Sequence, residues 1–234
     1  MRKANDSERA VPGLQSSTVV VFAGGERVPG DLARLVPAGA TVIAADSGLY
    51  AATENGVDVH IAIGDFDSVD DASLHRAEAS GTKVERFPPT KDETDLELAL
   101  RRATALEAEH IVVIGGHGGR TDHFIANAML LAADDHRQAS VEAYFGHARA
   151  YVVRSTVAID GEVGDLLTLL PVHGPARGVT TDGLLYPLQN ATLHPGSTRG
   201  VSNQFVEPVA SVHVEGGVLL AITPGERNTP CTPT

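Results

Sequence analysis

This chain contains very little cysteine, and few of its residues carry a positive charge. Its 234 residues include one cysteine, no tryptophan and three lysines. The single cysteine, Cys231, excludes an internal disulfide and any zinc site built from cysteines, so we expect a reducing, cytoplasmic compartment. No apolar run reaches the length of a membrane-spanning helix, and residues 1–17 lack the apolar segment of a signal peptide. We therefore expect no membrane partner and interpret residues 1–17 as a disordered leader.

The charge balance limits the partners further. Lysine and arginine total 18 against 30 aspartate and glutamate residues, which gives a net charge of −12. Such a surface repels nucleic acid, so we expect no nucleic-acid partner. None of the lysines follows a glycine, which excludes a Walker A phosphate loop. His117 and His123 lack the spacing of a helical zinc pair.

The hydrophobic pattern divides the chain near residue 150. Before it, short apolar runs alternate with helical stretches, a pattern typical of a mostly parallel sheet flanked by helices. After it, short strand-like segments are separated by glycine and proline, which predicts a smaller antiparallel β-sandwich or barrel. We predict an α/β fold with an α/β domain at 18–150, a β domain at 151–223 and a flexible tail at 224–234. The predicted strands are residues 18–22, 41–45, 59–63, 82–87, 110–114, 140–145, 150–153, 166–170, 177–181, 210–214 and 218–222.

Two carboxylates follow the third predicted strand. The segment Gly64-Asp65-Phe66-Asp67-Ser68 comes where the apolar run 59–63 stops. Residues i and i+2 of an extended chain point the same way, so Asp65 and Asp67 should converge. Neighbouring carboxylates repel each other unless a cation neutralises them, and oxygen ligands suit Mg²⁺, which usually brings phosphates with it. A solvated turn is the alternative, because aspartate, glycine and serine are ordinary turn residues.

Two more polar segments stand before predicted helices. Residues 90–95 precede one helical pattern, and the glycine-rich residues 115–123 connect an apolar strand to another. Glycines and free N–H groups at a helix start let the backbone approach an anion. In an open α/β sheet, such turns after successive strands lie together at the carboxyl edge and form the ligand crevice. We expect Lys91 and Arg120 to face a phosphate there.

Helix capping offers a simpler interpretation of several of these residues. Asp92 and Asp95 have the spacing of an N-cap and its N3 partner, so Asp95 would merely close a capping box. Thr121 and Asp122 would be a cap and a first-turn carboxylate, stabilised by the helix dipole alone. The same applies to Asp46 after the second strand. Capping does not explain why acidic turns recur after successive strands.

The polar turns belong to an ordered set of five motifs. They are Asp46-Ser47-Gly48, Gly64-Asp65-Phe66-Asp67-Ser68, Lys91-Asp92-Glu93-Thr94-Asp95, Gly119-Arg120-Thr121-Asp122-His123 with Asn127, and Gly200-Val201-Ser202-Asn203. Together they resemble the motif set of the thiamine pyrophosphokinase family over about residues 18–222. The resemblance implies transfer of a pyrophosphoryl group from ATP to the hydroxyl of thiamine, giving thiamine diphosphate and AMP. It also implies a catalytic α/β domain that binds nucleotide and metal, a β domain that helps to bind thiamine, and a homodimer with active sites at the subunit interface.

The resemblance implies a role for each matching residue. Asp65, Asp67 and Asp95 would hold Mg²⁺, with Mn²⁺ as an alternative metal, and ATP would be the co-substrate. Lys91, Arg120 and Asp122 would be catalytic, and Asp122 would orient the thiamine hydroxyl or accept its proton. The ATP side would be formed by Asp46, Ser47, Lys91, Thr94, Arg120, His123 and Asn127.

Thiamine recognition is assigned by the same resemblance to Ser202 and Asn203, although this pair also suits a turn at a strand end. Gln204 stands where many family members have an acidic residue, so a carboxylate contact with the cationic thiazolium is missing there. Tyr186 or Phe205 would stack on thiamine or belong to the core of the β domain. Two alternative functions remain: a pyrophosphokinase for another hydroxymethyl heterocycle, such as a pterin, and a non-catalytic nucleotide sensor.

Overall fold

Thirteen strands and four α-helices make up residues 17–225, the part of the chain that a computed structural model describes. The helices are α1 (Gly48–Glu54), α2 (Asp71–Ala79), α3 (Asp95–Ala105) and α4 (Thr121–Leu130). None of these helices is long and apolar enough to cross a membrane. Except for residues 17, 224 and 225, the predicted leader and tail lie outside the described residues, as does Cys231. The strands are β1 (Thr18–Ala23), β2 (Thr41–Ala45), β3 (Ile61–Gly64), β4 (Lys83–Arg86), β5 (His110–Ile114), β6 (Ser140–Phe145), β7 (Ala148–Val153), β8 (Thr156–Asp160), β9 (Leu166–Asp182), β10 (Ala191–Leu193), β11 (Asn203–Gln204), β12 (Val209–His213) and β13 (Gly216–Thr223).

Parallel strands form the N-terminal half of the sheet, in the order β4-β3-β2-β1-β5-β6. The boundaries of β1, β2, β5 and β6 lie within one residue of the predicted ones, because each strand is an apolar run bounded by turn residues. β3 begins at Ile61 rather than at Val59. The chain leaves β1 on one side to form β2 and later returns on its other side to form β5. A topological switch point therefore lies between β1 and β5.

Alternate side chains of the parallel sheet enter two separate cores. In β1, Val19 and Val21 face one core, whereas Val20 and Phe22 face the other, as the period of two along a strand requires. Side chains of α3 and α4 cover the first face, and side chains of α1 and α2 cover the second. This burial on both faces fixes the positions of the loops that follow the strands.

The sheet continues into the C-terminal half through antiparallel strands. β7 pairs with β6, and β13, β9, β12 and β8 follow in that order. A third core packs side chains of β7, β9 and β13 with side chains of β8 and β12, among them Tyr151, Leu167, Ile159 and Val212. The parallel half with flanking helices and the antiparallel half confirm the predicted fold class.

β9 differs most from its prediction. The sequence predicts two strands, at 166–170 and 177–181, but one strand of 17 residues spans both. Arg177 pairs with Gly216 and Val172 pairs with Val218, so the residues between Val172 and Arg177 form a bulge opposite Gly217. The glycine and proline of this segment therefore belong to a bulge and do not end the strand. β8, β10 and β11 are further strands that the prediction lacks.

Candidate active site

Two glycine loops meet at the switch point, one after β1 and one after β5. The amide of Gly116 donates to the carbonyl of Gly24 (2.8 Å), and the amide of Glu26 donates to the carbonyl of His117 (2.8 Å). A side chain at Gly25 would place its Cβ 2.3 Å from the His117 carbonyl oxygen, so this approach requires glycine. Beside the loops lies a cleft of about 690 Å³.

The cleft brings together most of the site residues that the sequence predicts in the α/β half. The carboxyl ends of the parallel strands meet there, so turns that are distant in sequence share one edge of the sheet. Asp122 is not part of the lining, and Ser202 and Asn203 belong to the C-terminal half. The predicted residues that line the cleft are Asp46, Ser47, Asp65, Asp67, Lys91, Thr94, Asp95, Arg120, His123 and Asn127.

Asp46, Asp65 and Asp67 form a group of carboxylates in the cleft. One oxygen of each lies within 4.8 Å of the other two. Asp65 and Asp67 converge as predicted, but the chain between them is not extended, because Phe66 has a φ of 60°. The amide of Asp67 donates to the Asp65 carboxylate (3.3 Å), which closes this turn. Asp46 has a φ of 47°, so local left-handed backbone helps to assemble the group.

The carboxylate group has the chemistry of a divalent-cation site. Oδ1 of Asp46 is buried and has no hydrogen-bond partner among residues 17–225. A buried carboxylate oxygen without a partner is costly, and the like charges of Asp65 and Asp67 increase that cost unless a cation is present. Oxygen ligands of this kind suit Mg²⁺. These residues therefore fit the metal that the motifs imply. The resemblance assigns the metal to Asp65, Asp67 and Asp95, whereas the group in the structure contains Asp46 in place of Asp95.

Lys91 connects the carboxylate group to α3. Its ammonium lies 2.9 Å from Asp65 and 3.0 Å from Asp95, and its side chain is 9% exposed. Burial alone would lower the pKa of Lys91, but the hydrogen bonds with the two carboxylates outweigh it and raise this pKa. The hydrogen bond from Lys91 lowers the pKa of Asp65, whereas burial raises the pKa of Asp95. Lys91 is thus charged in the cleft, and metal binding by Asp95 stays a prediction.

Helix capping explains Thr94 rather than Asp95. Thr94 is the N-cap of α3, and its hydroxyl accepts a hydrogen bond from the amide of Glu97 (3.2 Å). The predicted capping box between Asp92 and Asp95 is wrong, because Asp95 is the first residue of the helix. The Asp95 carboxylate pairs with Lys91 instead and faces the cleft.

Arg120 and Asp122 stand at the start of α4. The guanidinium donates two hydrogen bonds to the carboxylate, at 2.6 and 3.2 Å, and the two side chains are 69% and 66% exposed. This pairing lowers the pKa of Asp122 to about 2, so its carboxylate is ionised at neutral pH. Arg120 is the N-cap residue, where free N–H groups favour an anion. Asn127, further along α4, donates from Nδ2 to the Gly116 carbonyl (2.8 Å) and ties the helix to the glycine loop.

The predicted thiamine-side residues lie far from the cleft along the sheet of one chain. β11, which contains Asn203, pairs with β9, and six steps separate it from β1 by way of β5, β6, β7, β13 and β9. At about 4.8 Å per strand, the separation measured along the sheet is on the order of 30 Å. Neither Ser202 nor Asn203 lines the cleft, so one chain does not bring the two predicted halves of the site together there.

The structure distinguishes Ser202 from Asn203. Asn203 is 8% exposed, and its amide side chain bonds the backbone of Tyr186 through both atoms, at 3.0 and 2.8 Å. Asn203 therefore holds a turn, which agrees with the simpler interpretation of this residue. Ser202 is exposed with a φ of 58°, and its hydroxyl is free of hydrogen bonds within the described chain. Phe205 is 1% exposed and belongs to the third core, whereas Tyr186 is 68% exposed and accessible to a ligand.

Several residues of the cleft were not singled out by the motifs. His117 lines it, and its Nδ1 is buried without a hydrogen-bond partner among residues 17–225. Gly24 and Gly25 supply the second loop, and the glycine pair directly after an apolar strand is a signal that could have found them. Ser68, which belongs to the second motif but has no role assigned by the resemblance, also lines the cleft and donates to the Asp67 carboxylate (2.9 Å).

Two family profiles match the chain in order. Residues 32–143 match the thiamin pyrophosphokinase catalytic domain, and residues 154–219 match the thiamin pyrophosphokinase vitamin B1 binding domain. The chain belongs to the thiamin pyrophosphokinase family. In this family member, the catalytic-domain match contains Asp46, Asp65 and Asp67. The match to the vitamin B1 binding domain contains Tyr186 and Ser202.

Relatives of the family have the same overall architecture. Thiamine pyrophosphokinase from Bacillus subtilis (strain 168) is 27% identical over 209 residues, which cover 88% of this chain and 97% of that protein. The crystal structure of thiamine pyrophosphokinase from Bacillus subtilis has a TM-score of 0.80 at 26% identity and covers 90% of this chain and 100% of its own. The crystal structure of thiamin pyrophosphokinase from Geobacillus thermodenitrificans has a TM-score of 0.74 at 25% identity and covers 91% of this chain and 100% of its own. Yeast thiamin pyrophosphokinase, with a TM-score of 0.70 at 14% identity, covers 91% of this chain and 87% of its own and shares the fold.

Proposed function

We propose that this cleft is the site at which the protein transfers the pyrophosphoryl group of ATP to the hydroxyl of thiamine. One observation carries the proposal: Asp46, Asp65 and Asp67 converge beside a buried, charged Lys91 at the switch point of the sheet. Carboxylates alone would repel a triphosphate, so this arrangement suits a phosphate substrate that arrives with a cation. The match of residues 154–219 to a vitamin B1 binding domain supports thiamine as the acceptor rather than a pterin-like heterocycle.

The acidic group would hold Mg²⁺, with Mn²⁺ as the alternative. A bound divalent cation would neutralise negative charge on the triphosphate and on the leaving AMP. Asp65 is held in place by Lys91 on one oxygen and by the Asp67 amide on the other. Lys91 therefore orients a metal-binding carboxylate and adds a positive charge to the cleft. Pyrophosphoryl transfer depends mainly on such positioning and charge, and it needs no nucleophilic side chain.

Arg120 and Asp122 would act on the two substrates from the start of α4. Arg120 is exposed and lines the cleft, so its guanidinium can turn towards the triphosphate. Asp122 would then accept a hydrogen bond from the thiamine hydroxyl and orient it. Because the pKa of Asp122 is about 2, this carboxylate is a weak base. The loose transition state of phosphoryl-type transfer makes a strong base unnecessary.

A second copy of the chain would complete the site. α4, whose N-cap is Arg120, has no buried residue and exposes Ile125 (54%) and Met129 (45%) along its length. The C-terminal half exposes Val201 (44%) and Tyr186 (68%) beside Ser202. Each apolar patch borders one half of the predicted site, and a two-fold homodimer would bring the halves of opposite chains together. The expected oligomeric state is therefore a homodimer, measurable by light scattering.

Product analysis tests the proposed reaction directly. The protein is incubated with thiamine, ATP and Mg²⁺, and the nucleotides and thiamine esters are separated by chromatography. We expect AMP and thiamine diphosphate in equal amounts, with no turnover of a hydroxymethylpterin in a parallel reaction. ADP together with thiamine monophosphate would contradict the proposal, because it would mean attack at the γ-phosphorus. ATP binding without any product would instead indicate a nucleotide sensor.

A further inference from the structure

A second cleft, of about 650 Å³, lies beyond the C-terminal end of α4. It shares no lining residue with the cleft of the candidate active site, which we call the catalytic cleft. Arg137, Arg154 and Arg177 line it together with His173, and Asp134 is its single acidic lining residue. With the histidine neutral, these side chains leave two positive charges, although the whole chain carries −12. We call this site the basic cleft, and its charge favours an anionic ligand.

Two of the three guanidinium groups are unused. Arg137 and Arg177 are exposed, and neither forms an ion pair or a side-chain hydrogen bond with any residue in the range 17–225. Arg154 is half-buried and donates to the carbonyls of Ala132 (2.6 Å) and Ala133 (2.9 Å). Its other terminal nitrogen lies 3.6 Å from Asp134. The basic cleft thus combines one anchored guanidinium with two whose donors are free.

The bulge of β9 forms one wall of the basic cleft. His173, inside the bulge, has a φ of 60°, and its Nε2 donates to the carbonyl of Met129 (3.1 Å). A side chain at Gly217, opposite the bulge, would place its Cβ 2.4 Å from the Pro175 carbonyl oxygen, so the two strands are in close contact. Bulges often redirect side chains at functional sites, and left-handed backbone at a non-glycine residue persists where its surroundings hold it.

We propose that the basic cleft binds a diphosphate group, inorganic or organic, at a site separate from the catalytic cleft. Guanidinium groups match phosphate oxygens through paired hydrogen bonds, and the arginines come from three different segments of the chain. Arginines that converge from separate segments can surround a ligand with several anionic oxygens. Two surplus positive charges match the charge of a diphosphate better than that of a neutral or cationic ligand.

α4 connects the basic cleft to the part of the candidate active site that contains Arg120 and Asp122. Its N-terminal end carries Arg120 and Asp122, and its last turn contains Met129, whose carbonyl accepts the hydrogen bond from His173. Arg154 bonds the two carbonyls that follow shortly after the helix. Phe124, Ala128 and Leu130 of α4 pack partly buried against the first core, and the contacts at the C-terminal end of the helix add to this attachment. A diphosphate that fixes Arg154 and the bulge would therefore also restrain α4.

Titration calorimetry with inorganic pyrophosphate tests the site in the full-length protein. EDTA is present to remove divalent cations, and Arg120→Gln provides a background in which the catalytic cleft binds phosphate weakly. In this background we expect pyrophosphate binding that Arg137→Gln with Arg177→Gln weakens roughly tenfold or more, because charged hydrogen bonds are lost. The matched control is Arg34→Gln with Lys83→Gln, which removes the same charge from two exposed side chains outside the basic cleft. Thiamine diphosphate as a second probe distinguishes an organic from an inorganic ligand.

Hydrogen exchange supplies the second readout. Pyrophosphate should slow amide exchange in residues 121–130 of the Arg120→Gln protein, and this effect should be absent when Arg137 and Arg177 are also replaced. Absence of binding in the Arg120→Gln background would overturn the proposal. So would binding that the paired arginine replacement leaves unchanged, or that the control pair weakens equally. Binding without any change in α4 exchange would overturn the connection through α4.

Discussion

The Lys91 ammonium lies 2.9 Å from the carboxylate of Asp65, which also belongs to the group that suits a divalent cation. One oxygen of Asp65 accepts from Lys91 and the other accepts from the amide of Asp67. Both oxygens are therefore oriented by the chain itself. Charge that is oriented in advance needs little rearrangement when a charged substrate arrives, which favours catalysis by electrostatic stabilisation.

Asp65→Asn and Asp67→Asn should each abolish turnover. Each replacement removes a charge from the proposed metal site, and we expect a loss of about 100-fold or more in kcat. Asp67→Asn relieves repulsion within the carboxylate group and should not lower the Tm of the metal-free protein. Asp65→Asn removes a charged partner of buried Lys91 and should lower the Tm. Asp58→Asn, at an exposed position away from the cleft, is the control for both measurements. Normal rates at saturating Mg²⁺ would contradict the metal assignment.

Asp122→Asn should reduce activity without changing the shape of its pH dependence. The hydrogen bonds from Arg120 lower the pKa of Asp122 to about 2, so the carboxylate is already ionised above about pH 4. Protonation of Asp122 therefore adds no acidic limb to kcat/KM near neutral pH. An asparagine still accepts a hydrogen bond, so a role in orientation predicts a smaller loss for Asp122→Asn than for Asp122→Ala. If the kcat/KM profile of the unmodified protein has an acidic limb that is absent in Asp122→Asn, Asp122 is instead the group that accepts the proton of the thiamine hydroxyl.

Ser202 and Asn203 should respond differently to replacement by alanine. Ser202→Ala should raise the KM for thiamine roughly tenfold and leave the KM for ATP unchanged, because one substrate contact is lost. Asn203→Ala should lower the free energy of unfolding by about 1–3 kcal/mol, because it removes both hydrogen bonds between the buried Asn203 side chain and the backbone of Tyr186. Steady-state kinetics and chemical denaturation separate the two effects. An unchanged thiamine KM in Ser202→Ala would reduce Ser202 to a turn residue.

Mixing two impaired variants should raise activity at a low thiamine concentration if the site is shared between subunits. One variant is Asp67→Asn, and the other combines Ser202→Ala with Tyr186→Ala at two exposed positions. A heterodimer would contain one site free of all three replacements. Subunit exchange is verified first, with differently tagged chains. If verified heterodimers are no more active than the separate variants, each chain must contain its whole site.

The stability contributed by Asp70 should depend on pH. Asp70 is the N-cap of α2, and its carboxylate accepts hydrogen bonds from Ser73 and from the Tyr50 hydroxyl (2.7 Å). These bonds lower its pKa below the ordinary value of 3.8. A carboxylate whose pKa is lowered on folding stabilises the fold fully at pH values above its ordinary pKa of 3.8. This stabilisation is lost as the pH falls through the lower pKa of the folded state. Asp70→Ala should therefore lower the Tm at pH 7, and the difference from the unmodified protein should shrink in acid. Asp71→Ala is the neighbouring control.

Local patterns predict the parallel half of the fold well, but they do not predict contacts between distant segments. The apolar runs of β1 and β5 are buried on both faces, so composition alone marks their limits. The metal group is different, because Asp46 reaches Asp65 only through the pairing of β2 with β3 and a left-handed backbone. Asn203 likewise depends on Tyr186, 17 residues away. No sequence period reports such a contact.

The bulge in β9 shows a second limit of sequence patterns. Gly174 and Pro175 are the residues that usually separate strands, yet here the strand continues past them. Its pairing with β13 on both sides of the bulge holds the strand together. Such pairing depends on residues 39 to 54 positions further along the chain, beyond the reach of a local pattern.

The antiparallel pairing of β6 with β7 joins the two family regions into one sheet, with Glu142 opposite Tyr151 and Phe145 opposite Ala148. This pairing of β6 with β7 lies at the short gap between the two family matches. Separating the regions at residue 150 would leave β6 as an unpaired edge, which attracts other strands and promotes aggregation. The region that matches the vitamin B1 binding domain therefore does not form a separate sheet of its own. Exchanging the chain from β7 onward between relatives would require the recipient to supply a β6 that pairs with the incoming β7.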